Sequence, residues 1–145
     1  MFRARLEARR RFLLTNTLWP VHVLTSESEA RVLLEKALER LPDLRSDGLT
    51  GEGDLLDGHL LAIAICNDFL LGVRPRKSVD DRHTAVDIAG IIQSWGQKIT
   101  VPHGAVIAAA VGYGFSYRPC GVSAYLNLQW RDVTRRTRCG GLNRP

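Results

Sequence analysis

Ile99-Thr100-Val101-Pro102-His103-Gly104-Ala105-Val106-Ile107-Ala108-Ala109-Ala110-Val111-Gly112-Tyr113-Gly114-Phe115 is the stretch on which the fold turns. Its Ala, Val and Ile residues run round nearly the whole helical circumference, so it is expected to be a buried helix at the heart of the core. Thr100 is placed as N-cap. Pro102 is placed in the first turn, where its missing N–H costs nothing, and Gly112 and Gly114 supply the permissive backbone that ends helices. The same stretch carries a smooth strip, because Gly104, Ala108 and Gly112 recur every four residues with Ala105 and Ala109 beside them. Two readings of that strip stay open: close packing within the chain, or a homodimer seam where two copies of the helix cross in van der Waals contact.

Upstream of this stretch, a helix beginning near Asp80 or Asp81 carries Ala85, Ile88, Ala89, Ile92 and Trp95 on one face and ends at Gly96. Downstream, Val122, Ala124, Leu126 and Leu128 alternate with Ser123, Tyr125, Asn127 and Gln129, the pattern of a half-buried strand, and a hairpin is expected over about 115–130. Two helices joined by a short turn and followed by a two-stranded ribbon follow the element order of a winged helix-turn-helix module. On that reading Lys98, Thr100 and His103 face phosphates or bases, and Tyr117 and Arg118 lie on the wing. Arg74, Arg76 and Lys77 add a basic connector. A physical difficulty accompanies it, since a helix that reads base edges needs outward donors and acceptors, and Val101 to Val111 offers almost none.

The remaining chain fills out an α+β domain with a helical core and a C-terminal β-hairpin. Ser26-Glu27-Ser28-Glu29 is a capping-box sequence, and Ala30, Leu33, Leu34, Ala37, Leu38 and Leu41 fall on one face, which predicts a helix over 26–41 stopped by Pro42. Residues 42–53, with Pro42, Gly48, Gly51 and Gly53, read as a loop. The run from Asp54 to Gly72 is apolar almost all round and is read as a helix rather than two strands turning at Asn67-Asp68. Leu18 to Leu24 has the alternation of a short edge strand. Residues 1–17 read as a basic N-terminal arm, 18–130 as a single globular domain and 131–145 as a basic flexible tail, too poor in apolar residues to order itself. Leu33, Leu34, Leu38, Ile63, Ile88, Ile92, Val106, Ala109, Phe115 and Leu126 are the expected core.

The composition narrows function less than it narrows fold. Across 145 residues there are 20 Lys and Arg against 15 Asp and Glu, a net charge of +5 that permits attraction to phosphate. Cys66, Cys120 and Cys139 are an odd count without paired spacing, which suits a reducing, cytoplasmic setting and opposes a disulfide framework or a Cys-based zinc site. No apolar run reaches the ~20 residues a membrane span needs. His59, His83 and His103 with Asp54, Asp57, Asp80, Asp81 and Asp87 are the raw material of a metal or acid-base site, but no HExxH, CxxC, GxSxG or phosphate-loop spacing organises them. Neither an enzyme nor a cofactor is therefore expected. The expectation, resting on the helix-turn-helix-ribbon order, the net charge and the basic segments at 74–77 and 131–138, is a small non-catalytic DNA-binding protein of the regulator type. The alternative is a homodimeric interaction or small-ligand-binding protein, with Gly104, Ala108 and Gly112 as its seam.

Overall fold

A computed structural model describes residues 19–96 and 99–138. In chain order these form α1 (Glu27–Arg40), a 3-10 turn (Leu56–His59), α2 (Leu60–Leu70), α3 (Ala85–Trp95), α4 (His103–Tyr113), β1 (Tyr117–Cys120), β2 (Ser123–Leu126) and α5 (Trp130–Arg138). The architecture is α+β: helices packed round α4, with one antiparallel hairpin near the C-terminus. The strands pair Tyr117 with Leu126 and Cys120 with Ser123, so Gly121 and Val122 make the turn, and Gly121 takes the positive φ of +60° that such a tight turn requires. The basic arm expected over 1–17 lies outside the described residues.

Helix α4 is the centre. Every residue from Gly104 to Gly112 is buried, and the helix touches α1, α2, α3 and β2. Two of its glycines are there because backbone arrives where a Cβ would stand. A methyl group at Gly104 would collide with the Arg45 carbonyl, and one at Gly112 with the carbonyl of Leu33 on α1. The smooth strip of Gly104, Ala108 and Gly112 is thus filled by the chain's own backbone, with Ala108 wholly inaccessible, and no face remains there for a second copy. This corrects the seam reading, and the physical reason is the close approach of α1 and the Arg45 turn.

Around α4 the other helices bury the faces their spacing predicts. In α1, Ser26 Oγ accepts the Glu29 N–H at 3.1 Å, and Ala30, Leu33, Leu34 and Ala37 are buried. The segment from Asp54 is helical after its 3-10 turn, with Asn67 and Asp68 inside α2 rather than at a bend. Of the expected core all but Leu38 are buried, and Leu38 is partly buried against the cluster.

Several boundaries differ from the sequence reading. Helix α3 starts at Ala85, with the Asp87 carboxylate accepting the Thr84 N–H at 3.1 Å, because residues 74–84 are engaged elsewhere. Their backbone runs beside the hairpin: the Arg76 and Asp80 N–H groups donate to Asn127 and Leu126 carbonyls at 2.7 and 3.1 Å, and Gln129 N–H donates to Arg74 at 2.9 Å. The N-cap of α4 is Pro102 and not Thr100, which is exposed. Residues 19–24 are a turn closed by Val23 N–H to Pro20 carbonyl at 3.1 Å, with Val21 and Leu24 turned to solvent, so the expected strand is absent there. Pro20 withholds a ladder donor and Asp68 takes the N–H groups of Leu24 and Thr25. Residues 131–138, expected to be tail, belong to α5.

Gly112→Ala should lower stability by roughly 1–3 kcal/mol through overpacking against α1. Gly90→Ala, on the exposed face of α3 with nothing within 4 Å of the new methyl, should raise it by roughly 0.5–1 kcal/mol. Urea titrations of both variants check the pair of signs, and a neutral Gly112→Ala would contradict the close-approach account.

Candidate functional site

Helix α5 has few apolar residues, so its order comes from particular contacts. Val133 is buried in the core at 1% exposure. One residue earlier, the Asp132 carboxylate accepts the Arg74 backbone N–H at 3.0 Å, Arg74 Nε at 2.9 Å and Arg74 Nη2 at 3.1 Å. One turn on, Arg136 donates from Nε to the Phe69 carbonyl at 3.2 Å and from Nη2 to the Asp68 carbonyl at 2.8 Å. It thereby adds donors to carbonyls in the last turn of α2, where a cation also complements the helix dipole. Its guanidinium lies 4.8 Å from the centre of the Trp95 ring, which meets Phe69 edge-on at 5.3 Å. At the other end of α5, Trp130 stacks on His83 with ring centres 3.7 Å apart.

Positions 132, 133 and 136 form one face of α5, so the opposite face presents Arg131, Arg135 and Arg138 at i, i+4 and i+7, with Thr134 among them in a shallow concavity. The stripe spans about 10 Å along the axis at a ~1.5 Å rise per residue. Among the described residues neither Arg131 nor Arg138 has an acidic partner within ion-pair distance. Arg135 has only a long 3.9 Å approach to Asp132. Arg74, through its bond to Asp132, is fixed beside the stripe with its side chain still 68% exposed. Hydrogen bonds from Arg74 hold the Asp132 carboxyl well below the ordinary carboxylate range, at about 2, against the opposing effect of burial.

The residues expected to meet nucleic acid fall in different places. Arg74 belongs to the face just described. Arg76 is half-buried and 3.9 Å from Asp80, and its carbonyl accepts from Asn127 Nδ2 at 2.9 Å. Asp80 also accepts the Arg82 N–H at 2.9 Å. Desolvation pushes its carboxyl upward, but the Arg82 bonds and charge together bring it below the usual value. Lys77 and Thr100 are exposed, and Lys98 lies outside the described residues. His103 is half-buried, its Nδ1 3.3 Å from Ser123 Oγ, and the neighbouring Gly104 N–H donates to the Ser46 carbonyl at 3.1 Å. Tyr117 lies beneath Arg40, with the guanidinium 5.5 Å from its ring centre, and Arg118 lies 5.2 Å over Tyr125. Helix α4 is buried along 104–112, as its apolar circumference predicts, so of this expected docking segment only the turn that precedes the helix, with Thr100, faces outward.

No group of three or more His, Cys, Asp or Glu residues with metal-binding geometry occurs among the described residues. His59 approaches Asp54 at 3.6 Å and His83 is engaged with Trp130. Burial pushes the Cys66 thiol far up, away from thiolate reactivity. No helix among the described residues is long and apolar enough to cross a membrane. Comparison with protein-family models, curated proteins and solved structures finds no match for this chain.

Sequence reasoning counted the basic segment 131–138 toward attraction to phosphate but read it as unordered tail for want of apolar content, and so named none of Arg131, Arg135 and Arg138 as site residues. The signal was the spacing of Asp132, Val133 and Arg136 on one face with the other arginines opposite. A group with a depressed folded pKa contributes stability that is present above its unfolded value, near ~4, and is lost as pH falls through the folded one. Asp132 should therefore support the fold fully at neutral pH and lose its contribution between about pH 4 and pH 2. Asp132→Asn should lower the neutral melting temperature and flatten the acid limb of Tm against pH. An acid limb identical to wild type would contradict the assignment.

Proposed function

We propose that this protein binds nucleic acid, with duplex DNA as the reference ligand, through phosphate contacts made by the arginine face of α5. The observation that carries the reading is the division of labour within one short helix: Asp132, Val133 and Arg136 are turned inward and satisfied, while Arg131, Arg135 and Arg138 are turned outward. Guanidinium groups on a fixed scaffold suit phosphate, which they can meet with paired N–H donors. A stripe about 10 Å long covers roughly three 3.4 Å steps along a DNA strand. Arg74 extends the face sideways, and the net charge of +5 favours encounter with a polyanion.

A membrane surface is the less favoured polyanion. A membrane-surface helix buries an apolar side among lipid acyl chains. The apolar side chains of α5, Trp130 and Val133, are packed against its own domain, and Arg131, Thr134, Arg135 and Arg138 offer nothing to insert. Phosphate contacts of this kind give affinity with little sequence discrimination, so the expected role is backbone binding rather than base reading. The unpaired thiols of Cys66 and Cys120 suit a cytoplasmic site of action.

Fluorescence anisotropy with a random-sequence duplex, repeated from about 50 to 200 mM salt, tests the proposal. The slope of log K against log salt should fall by roughly 0.9 for each arginine removed, or about 2.7 for the triple replacement of Arg131, Arg135 and Arg138 by Gln. The circular dichroism spectrum should remain that of wild type. An unchanged slope in the triple variant, or no binding by wild type at the lowest salt, would overturn the reading.

A further inference from the structure

A concavity of about 450 Å³ lies between α1 and the end of α2, lined among others by Leu24, Thr25, Val32, Asn67, Leu71 and Tyr113. Small-molecule sites commonly occupy ~300–1,000 Å³. Eight large hydrophobic side chains are strongly exposed among the described residues, and four of them, Leu24, Val32, Leu71 and Tyr113, gather round this one concavity. Such clustering, unlike scattered surface apolar residues, marks a place where something binds.

The polar chemistry beneath is specific. The Asp68 carboxylate accepts the N–H groups of Leu24 and Thr25 at 2.8 and 2.9 Å and the Thr25 hydroxyl at 2.6 Å. Having given its one proton to Asp68, Thr25 Oγ1 can only accept, so Asn67 must turn its NH₂ toward it, at 2.9 Å. That fixes the orientation of the Asn67 amide and leaves Oδ1 as its free end. Asn67 is 7% exposed, and this oxygen is buried with no hydrogen-bond partner. A shielded acceptor without a donor is an unmet demand in a residue that lines an apolar concavity.

We propose that this concavity is a binding site for a small uncharged molecule with an aliphatic body and one hydrogen-bond donor, a hydroxyl or N–H, that pairs with Asn67 Oδ1. The site is independent of the arginine face. Glu29 on its lining and Asp68 beneath it disfavour an anionic ligand. Leu24 on the rim is 78% exposed, and with so little packed against it this residue is readily displaced to admit a ligand.

The isomers 1-octanol and dibutyl ether separate the apolar requirement from the donor, since they share one formula and only the alcohol can donate. In ¹H–¹⁵N correlation spectra of the full chain, 1-octanol should bind saturably and shift the amides of Thr25, Asn67 and Leu71. Dibutyl ether should bind roughly three- to tenfold more weakly, the range of one net hydrogen bond. Asn67→Leu should abolish that discrimination. Should that variant fail to fold, Leu71→Arg, at a position 51% exposed, should weaken both isomers at least about tenfold by occupying the rim. Equal affinity of the isomers for wild type, shifts confined to other residues, no saturable binding of 1-octanol, or unaltered binding to Leu71→Arg would each overturn the proposal.

Discussion

The backbone-to-backbone approach at Gly104 and Gly112 is the constraint from which the rest of the structure follows. Because α4 has only Gly, Ala, Val and Ile over the turns it buries, α1 and the Arg45 turn can reach its backbone directly, and the mostly apolar α2 packs beside it. Dense packing of this kind tolerates little added volume. It also decides where function can reside. A central helix enclosed by α1, α2, α3 and β2 has no surface for a ligand along 104–112, so partner-facing chemistry is displaced to the periphery: to α5, and to the border of α1 with α2, where only Tyr113 at the end of α4 reaches the surface.

Peripheral elements need their own means of being held. For α5 these are one apolar anchor, Val133, and two polar ones, Asp132 with Arg74 and Arg136 with the end of α2. The Asp132 carboxylate is 2% exposed and its partner guanidinium largely open. The desolvation a buried carboxylate suffers offsets much of its attraction to Arg74, so the pair contributes more to orientation than to net stability. Removing Arg74 is another matter, since the buried Asp132 carboxylate would lose the guanidinium donors that satisfy it. The same few residues of α2 serve two purposes, because the Asp68 side chain holds the Leu24–Thr25 segment while the Asp68 and Phe69 carbonyls hold Arg136.

What the sequence made legible was the apolar periodicity. The faces of α1 and α3, the burial of α4 and the inward Ala124 and Leu126 of β2 follow from spacing alone, because burying apolar side chains dominates those elements, whereas the alternation fails at the turn, where Val122 is exposed and Ser123 buried. The misread elements depend on polar contacts between residues distant in sequence. Asn127 reads as the outward half of an alternation, yet it is buried: its Nδ2 holds the Arg76 carbonyl at 2.9 Å and its Oδ1 accepts the Ser116 N–H at 2.8 Å. Asp132 lies 58 positions from Arg74, and no local pattern couples them. Residues 19–24 have a strand's alternation but, among the described residues, no neighbouring strand to pair with, and a carboxylate on α2 takes the N–H groups of Leu24 and of the adjoining Thr25 instead. The i,i+4 recurrence of Gly104, Ala108 and Gly112 was correctly read as a surface of close approach, and only the identity of the approaching backbone lay beyond local pattern.

The central claim is that the outward arginines of α5, and not the first turn of α4, meet the phosphate backbone. Arginine side-chain NMR during titration with a short DNA duplex tests it most directly, since the Nε–H signals of Arg74, Arg131, Arg135 and Arg138 report the face itself. The account predicts that these four signals shift together at low salt, while the Arg136 Nε–H, donated to the Phe69 carbonyl, and the amides of Thr100 and Gly104 stay in place. Shifts concentrated at Thr100, His103, Tyr117 and Arg118 with the α5 arginines unmoved would contradict it.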